Sequence, residues 1–184
     1  FDEKFGRHFL TYVQPEADRF IQSLSGKKVL DLGSGPGNHA AYFQARGLDV
    51  LCVDLSEAMV EQCLRKGLRA IVADMETLDL GEQFDGIWAY ASLLHIPKET
   101  FPLVIDNIVK HLKPNGLLAL ALKEGSGEGF ETHESYPETK RWFTYFTDAE
   151  IKELFGRQFD ILYADKTEVK GGTYVFLKYL LRLK

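Results

Sequence analysis

Short apolar runs and longer amphipathic runs alternate along this chain. The apolar runs fall near residues 28–32, 49–54, 69–74, 84–90 and 116–123, and each reads as a strand. Helices are expected near 37–46, 56–67 and 98–113, with Ser56 as an N-cap, Glu57 as a first-turn acid, and Gly47 and Gly67 as stops. Lys113-Pro114-Asn115-Gly116 reads as a turn into the fifth strand. Val29–Leu32 and Leu117–Leu122 are almost wholly apolar, as strands are when both faces of their sheet are covered. Strand–helix alternation implies right-handed crossovers and an α/β fold: a doubly wound, mostly parallel sheet.

The two ends read differently. Residues 3–24 carry an imperfect helical stripe (Phe5, Phe9, Tyr12, Val13, Phe20, Ile21, Leu24) with a break expected at Pro15. Residues 147–156 read as a short helix capped by Thr147 or Asp148. Residues 159–169 and 173–183 read as two strands joined at Gly171-Gly172, so the last strand should run antiparallel. Residues 124–140 are polar, rich in Gly, Glu and Ser, and without periodicity; they read as a lid loop or a disordered connector. One domain over 1–184 is expected, with 1–26 as an N-terminal helical cap.

Composition narrows the field. The 184 residues carry a net charge of -5, and no lysine or arginine run supplies the basic face of a nucleic-acid binder. Cys52 in a strand and Cys63 in a helix read as buried thiols of a reducing compartment. No signal peptide and no membrane-length apolar run is visible, so cytoplasm is the expectation, and Phe1 suggests that a few residues precede it. His8, His39, His111 and His133 show no ligand spacing, and no metal site is inferred.

The chemistry concentrates in Val29-Leu30-Asp31-Leu32-Gly33-Ser34-Gly35-Pro36-Gly37, a strand that stops at a glycine-rich turn and feeds a helix. Such a turn brings bare backbone to a ligand. Asp54, 17 residues after Gly37, ends the next strand, roughly where nucleotide-binding α/β units hold a ribose. A dinucleotide fingerprint needs its third glycine one residue later, where Asn38 stands, and Asp31 would repel a diphosphate. An NAD-dependent dehydrogenase is therefore disfavoured.

Asp31-x-Gly33-x-Gly35-x-Gly37, Asp54 after the second strand and Asp74 after the third resemble the class I S-adenosylmethionine-dependent methyltransferases across nearly the whole chain. Ala91–Pro97, Lys123–Phe130 and Phe143–Thr147 are similar to segments of the small free-standing enzymes that methylate small molecules. The resemblance implies a Rossmann-like, seven-stranded methyltransferase sheet. It implies S-adenosylmethionine as cofactor and S-adenosylhomocysteine as product. Gly33, Gly35 and Gly37 would lie against the methionine and ribose, Asp31 would favour the cationic end, and Asp54 would accept from both ribose hydroxyls. Leu55 and Met59 would flank the adenine. Asp74 and the Met75 amide would meet its edge, and Ala89–Ser92, with Tyr90, would pass beside the methionine part.

Each has a plainer reading: turn acids for Asp54 and Asp74, core for Leu55 and Met59, helix–strand packing for Gly37. Positioning and water exclusion can carry most of an in-line methyl transfer, so a base is needed only for a protonated nucleophile. His95, just past the fourth strand, is the candidate; its alternative is a structural histidine bound to a loop carbonyl. Trp142 and Tyr145 are candidate substrate residues in the aromatic cluster Trp142, Phe143, Tyr145 and Phe146, which either lines a pocket, even one for a cationic amine, or packs the last helix. Lys123, with Glu124 at the end of the fifth strand, is a further candidate substrate residue or a solvated turn charge. A small-molecule methyltransferase leads. An RNA or nucleoside methyltransferase and a non-catalytic S-adenosylmethionine-binding regulator are the alternatives; the first of these lacks an Asn/Asp-Pro-Pro-aromatic motif at Ala89–Ser92.

Overall fold

A computed structural model describes residues 9–133, 136–168 and 174–184. A π-helical turn, Phe9–Val13, leads into α1, Gln14–Ser23, with Pro15 in its first turn. There the missing proline N–H costs nothing, so Pro15 starts a helix instead of breaking one. Residues 3–8 of the expected front helix lie outside the described residues. The alternation then runs β1 (Lys28–Leu32), α2 (Asn38–Gln44), β2 (Asp49–Asp54), α3 (Glu57–Arg65), β3 (Arg69–Val72) and β4 (Phe84–Tyr90). It continues through a 3-10 turn (Leu93–His95), α4 (Phe101–His111) and β5 (Leu112–Glu124). The chain closes with β6 (Glu128–His133), β7 (Tyr136–Phe146), α5 (Asp148–Gly156), β8 (Phe159–Glu168) and β9 (Val175–Leu183).

The sheet runs β3-β2-β1-β4-β5 with every neighbouring pair parallel. β9 adds antiparallel to β5, from Leu117↔Arg182 to Lys123↔Phe176, and β8 adds antiparallel to β9. These seven strands are the expected doubly wound sheet with its antiparallel last strand. The Gly171-Gly172 turn lies outside the described residues. The turn before the fifth strand is a bulge: the β4–β5 register shifts between Phe84↔Leu112 and Gly86↔Leu117, and Asn115 takes φ +61° inside it.

Two cores result from two covered faces. Val29, Cys52, Trp88 and Ala119 meet Phe20 of α1, Phe43 of α2 and Cys63 of α3. Leu30, Ile87, Ala89, Leu118 and Leu120 meet Val104 and Ile108 of α4 and Ile151 and Phe155 of α5. Both cysteines are free and buried. Ser56 stands at the N-cap of α3 without a side-chain cap, whereas Thr147 and Glu150 form a full capping box on α5.

The segment 124–140, read as an aperiodic loop, is mostly strand. β6 and β7 form an antiparallel hairpin from Glu128↔Thr144 to Thr132↔Lys140, and β7 joins β5 at Lys123↔Tyr145 and Glu124↔Phe146. The hairpin is half covered, so polar and apolar residues share its strands and no apolar run marks it. Three hydrogen bonds clamp it to the segment after β4. The Lys98 amide donates to Glu128 Oε2 (2.7 Å), Thr144 Oγ1 donates to the Ile96 carbonyl (2.7 Å), and His95 Nδ1 donates to the Trp142 carbonyl (2.7 Å).

Candidate functional site

The carboxyl ends of β1, β2 and β4 meet around the glycine turn. The Gly33 and Ser34 amides donate to the Val53 carbonyl (2.8 and 3.0 Å), stitching the turn to β2. Gly33, Gly35 and Gly37 have φ of +74°, +54° and +76°, a region side chains disfavour. A Cβ on Gly33 would stand 2.3 Å from Ser92 Cβ, because Ser92 Oγ donates to the Leu32 carbonyl (2.6 Å) and holds the post-β4 segment against the turn. A Cβ on Gly37 would meet Leu68 and Cys63 side chains at 2.6 and 2.7 Å, so that glycine has a packing reason of its own. Gly35 has open space where its Cβ would be.

Asp54 ties this turn to α3. Oδ2 accepts from the Gly35 amide (2.8 Å) and Oδ1 from the Ser56 amide (2.9 Å). The turn-acid reading is thus realised, and each oxygen keeps a further lone pair for a hydroxyl donor. Apolar side chains border it. Leu55 is exposed, and so is Val72, the register partner of Asp54. Sequence reasoning missed Val72, because a strand residue is expected to be covered by its own fold. Met59 is half-buried on α3, and Met75 reaches to 3.5 Å from where a Gly33 Cβ would sit. Asp74 Oδ1 accepts from the Glu76 amide (2.9 Å), an Asx turn.

Asp31 lies beneath the turn. It is 2% exposed, and its Oδ2 is a buried polar atom without a hydrogen-bond partner among the described residues. Burial and the neighbouring Asp54 charge push its carboxyl up to about 7, with the Ala40 amide pulling the other way. An orphaned buried oxygen is costly, and a cationic ligand group would satisfy it.

After β4 the backbone is strained: Ala91 takes φ +58°. Tyr90 stacks on Trp88 and donates its hydroxyl to the Tyr12 carbonyl (3.2 Å), so it fastens the N-terminal segment to the sheet. The next turn presents His95, whose ring packs on Phe143 at 4.8 Å. A carbonyl only accepts, so the bond to Trp142 places the proton on Nδ1 and leaves the Nε2 lone pair free. Burial first, then Arg141 and Lys123, hold its pKa below the usual histidine value.

β7 alternates across the hairpin. Phe143 and Tyr145 turn toward Lys123, whose ammonium lies 3.5 and 5.5 Å from their ring centres. Trp142 turns the other way, edge-on to Phe130 and donating to Thr144 Oγ1 (3.1 Å). Among the residues expected at the substrate, Lys123, Tyr145 and His95 therefore converge around Phe143, while Trp142 enters through its carbonyl. The signal that could have found this is the period of two in Trp142–Phe146.

Residues 29–116 match the family model described as a methyltransferase domain. The chain is 29% identical over 116 residues to Hemagglutinin 1 of Eikenella corrodens, covering 60% of this chain and 39% of that protein. It is 30% identical over 109 residues to malonyl-[acyl-carrier protein] O-methyltransferase of Enterobacter lignolyticus, covering 56% of this chain and 43% of that protein. The chain thus aligns with about two fifths of the length of these curated relatives. A crystal structure of Burkholderia thailandensis 1,6-didemethyltoxoflavin-N1-methyltransferase, with 1,6-didemethyltoxoflavin and S-adenosylhomocysteine bound, superimposes with a TM-score of 0.77. Its identity is 24%, over 98% of this chain and 83% of that one. The glycine turn, the strand-end acids and the antiparallel last strand thus lie in a chain that matches the methyltransferase-domain family over residues 29–116 and shares the fold of that enzyme.

Proposed function

We propose that the protein transfers a methyl group from S-adenosylmethionine to a small-molecule acceptor. The observation that carries this is the glycine turn laced to Asp54, with the unsatisfied Asp31 oxygen beneath it. The residues present fit the cofactor. Asp31 would meet its ammonium, Gly33 and Gly35 would let it approach the backbone, and Asp54 would take ribose hydroxyls on its remaining lone pairs. Leu55, Met59 and Val72 would cover the adenine, with Asp74 and the Met75 amide at its edge. When bound, S-adenosylmethionine supplies an electrophilic methyl on a sulfonium.

The chain's own residues then do three things. The Ala91–Ser92 segment, pinned through Ser92 to Leu32, positions the acceptor beside the cofactor site. The β6–β7 hairpin acts as the lid over the acceptor and keeps water out, since its clamp to residues 95–98 encloses the end of β5. His95 Nε2 receives the acceptor's proton where it has one. The lack of a basic run supports a small molecule over RNA. Among the described residues no helix is long and apolar enough to cross a membrane. Two reduced, buried cysteines favour a cytoplasmic setting.

A thermal melt with S-adenosylhomocysteine, and with NADH in parallel, tests the cofactor. Ligand at about a hundredfold over its Kd adds about 2.7 kcal/mol, a rise of about 5–10 °C for a domain of this size. A rise with NADH instead, or none with either, would refute the assignment. Asp54→Ala should weaken S-adenosylhomocysteine binding by about 2 kcal/mol or more, because it removes the ribose acceptor and the Gly35 anchor together. An unchanged Kd by calorimetry would show Asp54 to be a turn acid alone.

A further inference from the structure

The end of β5 places an ammonium at the carboxyl edge of the sheet, where open α/β sheets take their ligands. Lys123 is 5% exposed, and among the described residues no carboxylate forms an ion pair with it. Its Nζ lies 3.5 Å from the Phe143 ring centre, 3.7 Å from Tyr174 and 5.5 Å from Tyr145. The acid whose charge reaches it, Glu131 of β6, accepts instead from the Tyr145 hydroxyl (2.7 Å). Burial lowers the lysine pKa, and Glu131 partly restores it. His95 packs on the same Phe143 ring and feels the charges of Lys123 and Arg141.

Three deductions follow from this arrangement. The aromatic cage is filled by the chain's own cation, so a cationic acceptor would meet repulsion. A buried ammonium without a carboxylate partner is poorly compensated by rings alone, and an anion entering the pocket would pair with it. A free imidazole lone pair beside the same ring can take a proton from the group that becomes that anion.

We propose that the acceptor is an acidic hydroxyl compound, a phenol or enol, whose ionised oxygen pairs with Lys123 Nζ while His95 Nε2 holds its proton. The O–H bond breaks, its electron pair stays on oxygen, and the proton moves to Nε2. The inference rests on the methyl-transfer reading and adds the chemical class of the acceptor. It makes Lys123 the selector: it favours the ionised hydroxyl over a neutral or cationic nucleophile of the same shape.

The test uses 4-nitrophenol, whose phenolate absorbs in the visible and whose phenol does not. It is titrated into the protein, with and without saturating S-adenosylhomocysteine, at a pH below its own pKa. Nitrobenzene serves as the neutral isostere. Wild-type protein should raise a saturable phenolate band. Lys123→Met should lose the band and weaken binding about tenfold or more, Lys123→Arg should keep most of it, and nitrobenzene should bind wild type and Lys123→Met alike. Matching melts and S-adenosylhomocysteine affinities would show that Lys123→Met is folded. Binding as neutral phenol, equal affinity in Lys123→Met, or no saturable binding would overturn the inference. If S-adenosylhomocysteine itself fails to bind the wild type, the methyl-transfer reading falls, and the titration without it still decides whether Lys123 holds a phenolate.

Discussion

His95→Gln is expected to lower kcat by about 10²–10⁴-fold for a phenolic acceptor, the usual contribution of a positioned base, with S-adenosylhomocysteine affinity unchanged. Glutamine can still donate to the Trp142 carbonyl and hold the hairpin, but its amide oxygen takes no proton near neutrality. The wild-type rate should also carry an acid limb. The neutral imidazole is the active form, so the rate rises with pH through the histidine pKa and is flat above it. Burial, Arg141 and Lys123 all oppose protonation, which sets that limb below the ordinary histidine value of 6.5. The limb should vanish in His95→Gln. A variant that keeps both kcat and the limb would reduce His95 to the hydrogen bond with Trp142, a latch for the hairpin.

Asp31→Asn should move stability and binding in opposite directions. In the folded protein the Asp31 carboxyl titrates at about 7, against about 3.9 in an unfolded chain. Between those values the native state binds a proton that the unfolded state does not. Stability therefore falls as pH rises from about 4 to about 7, and above that the whole penalty is present. Asparagine carries no such charge, so the ligand-free variant should be more stable by about 2 kcal/mol at pH 8, part of the gain being offset by its own buried amide. Binding should suffer: without the carboxylate, S-adenosylhomocysteine loses about 1.5–3 kcal/mol of charge-assisted hydrogen bonding at its ammonium. For wild type, affinity should weaken as pH falls below about 7, where a proton competes with the ligand for Asp31, by up to about tenfold per pH unit. Calorimetry across that range reads it directly, and the slope should be absent in Asp31→Asn. A variant that melts lower and binds normally would make Asp31 a structural acid.

Much of this was written locally in the chain. Val29–Leu32 and Leu117–Leu122 are legible as central strands because burial on both faces demands apolar side chains at every position. The glycine turn and Asp54 are legible because a tight strand-to-helix turn restricts residue type within a few positions. The α5 start is legible for the same reason, as a cap at Thr147 or Asp148; the structure puts it at Thr147, closed by Glu150 three residues on.

What the chain did not show is made by residues far apart in it. The hairpin pairs Glu128 with Thr144 across a segment whose mixed composition satisfies one covered face and one open one. The Lys123 cage draws its rings from Phe143, Tyr145 and Tyr174. Trp142 reaches the site through a carbonyl, which every residue has and no sequence marks. By itself the sequence determined the alternation, the sheet class and the cofactor-type turn, since strand burial, helix stops and glycine geometry act over a few residues. Only the tertiary structure decided that Asp31 is left unsatisfied, that His95 presents Nε2, and that Lys123 fills the aromatic cage. Desolvation and long-range partners set a side chain's charge and proton, and both exist only once the distant strands have packed.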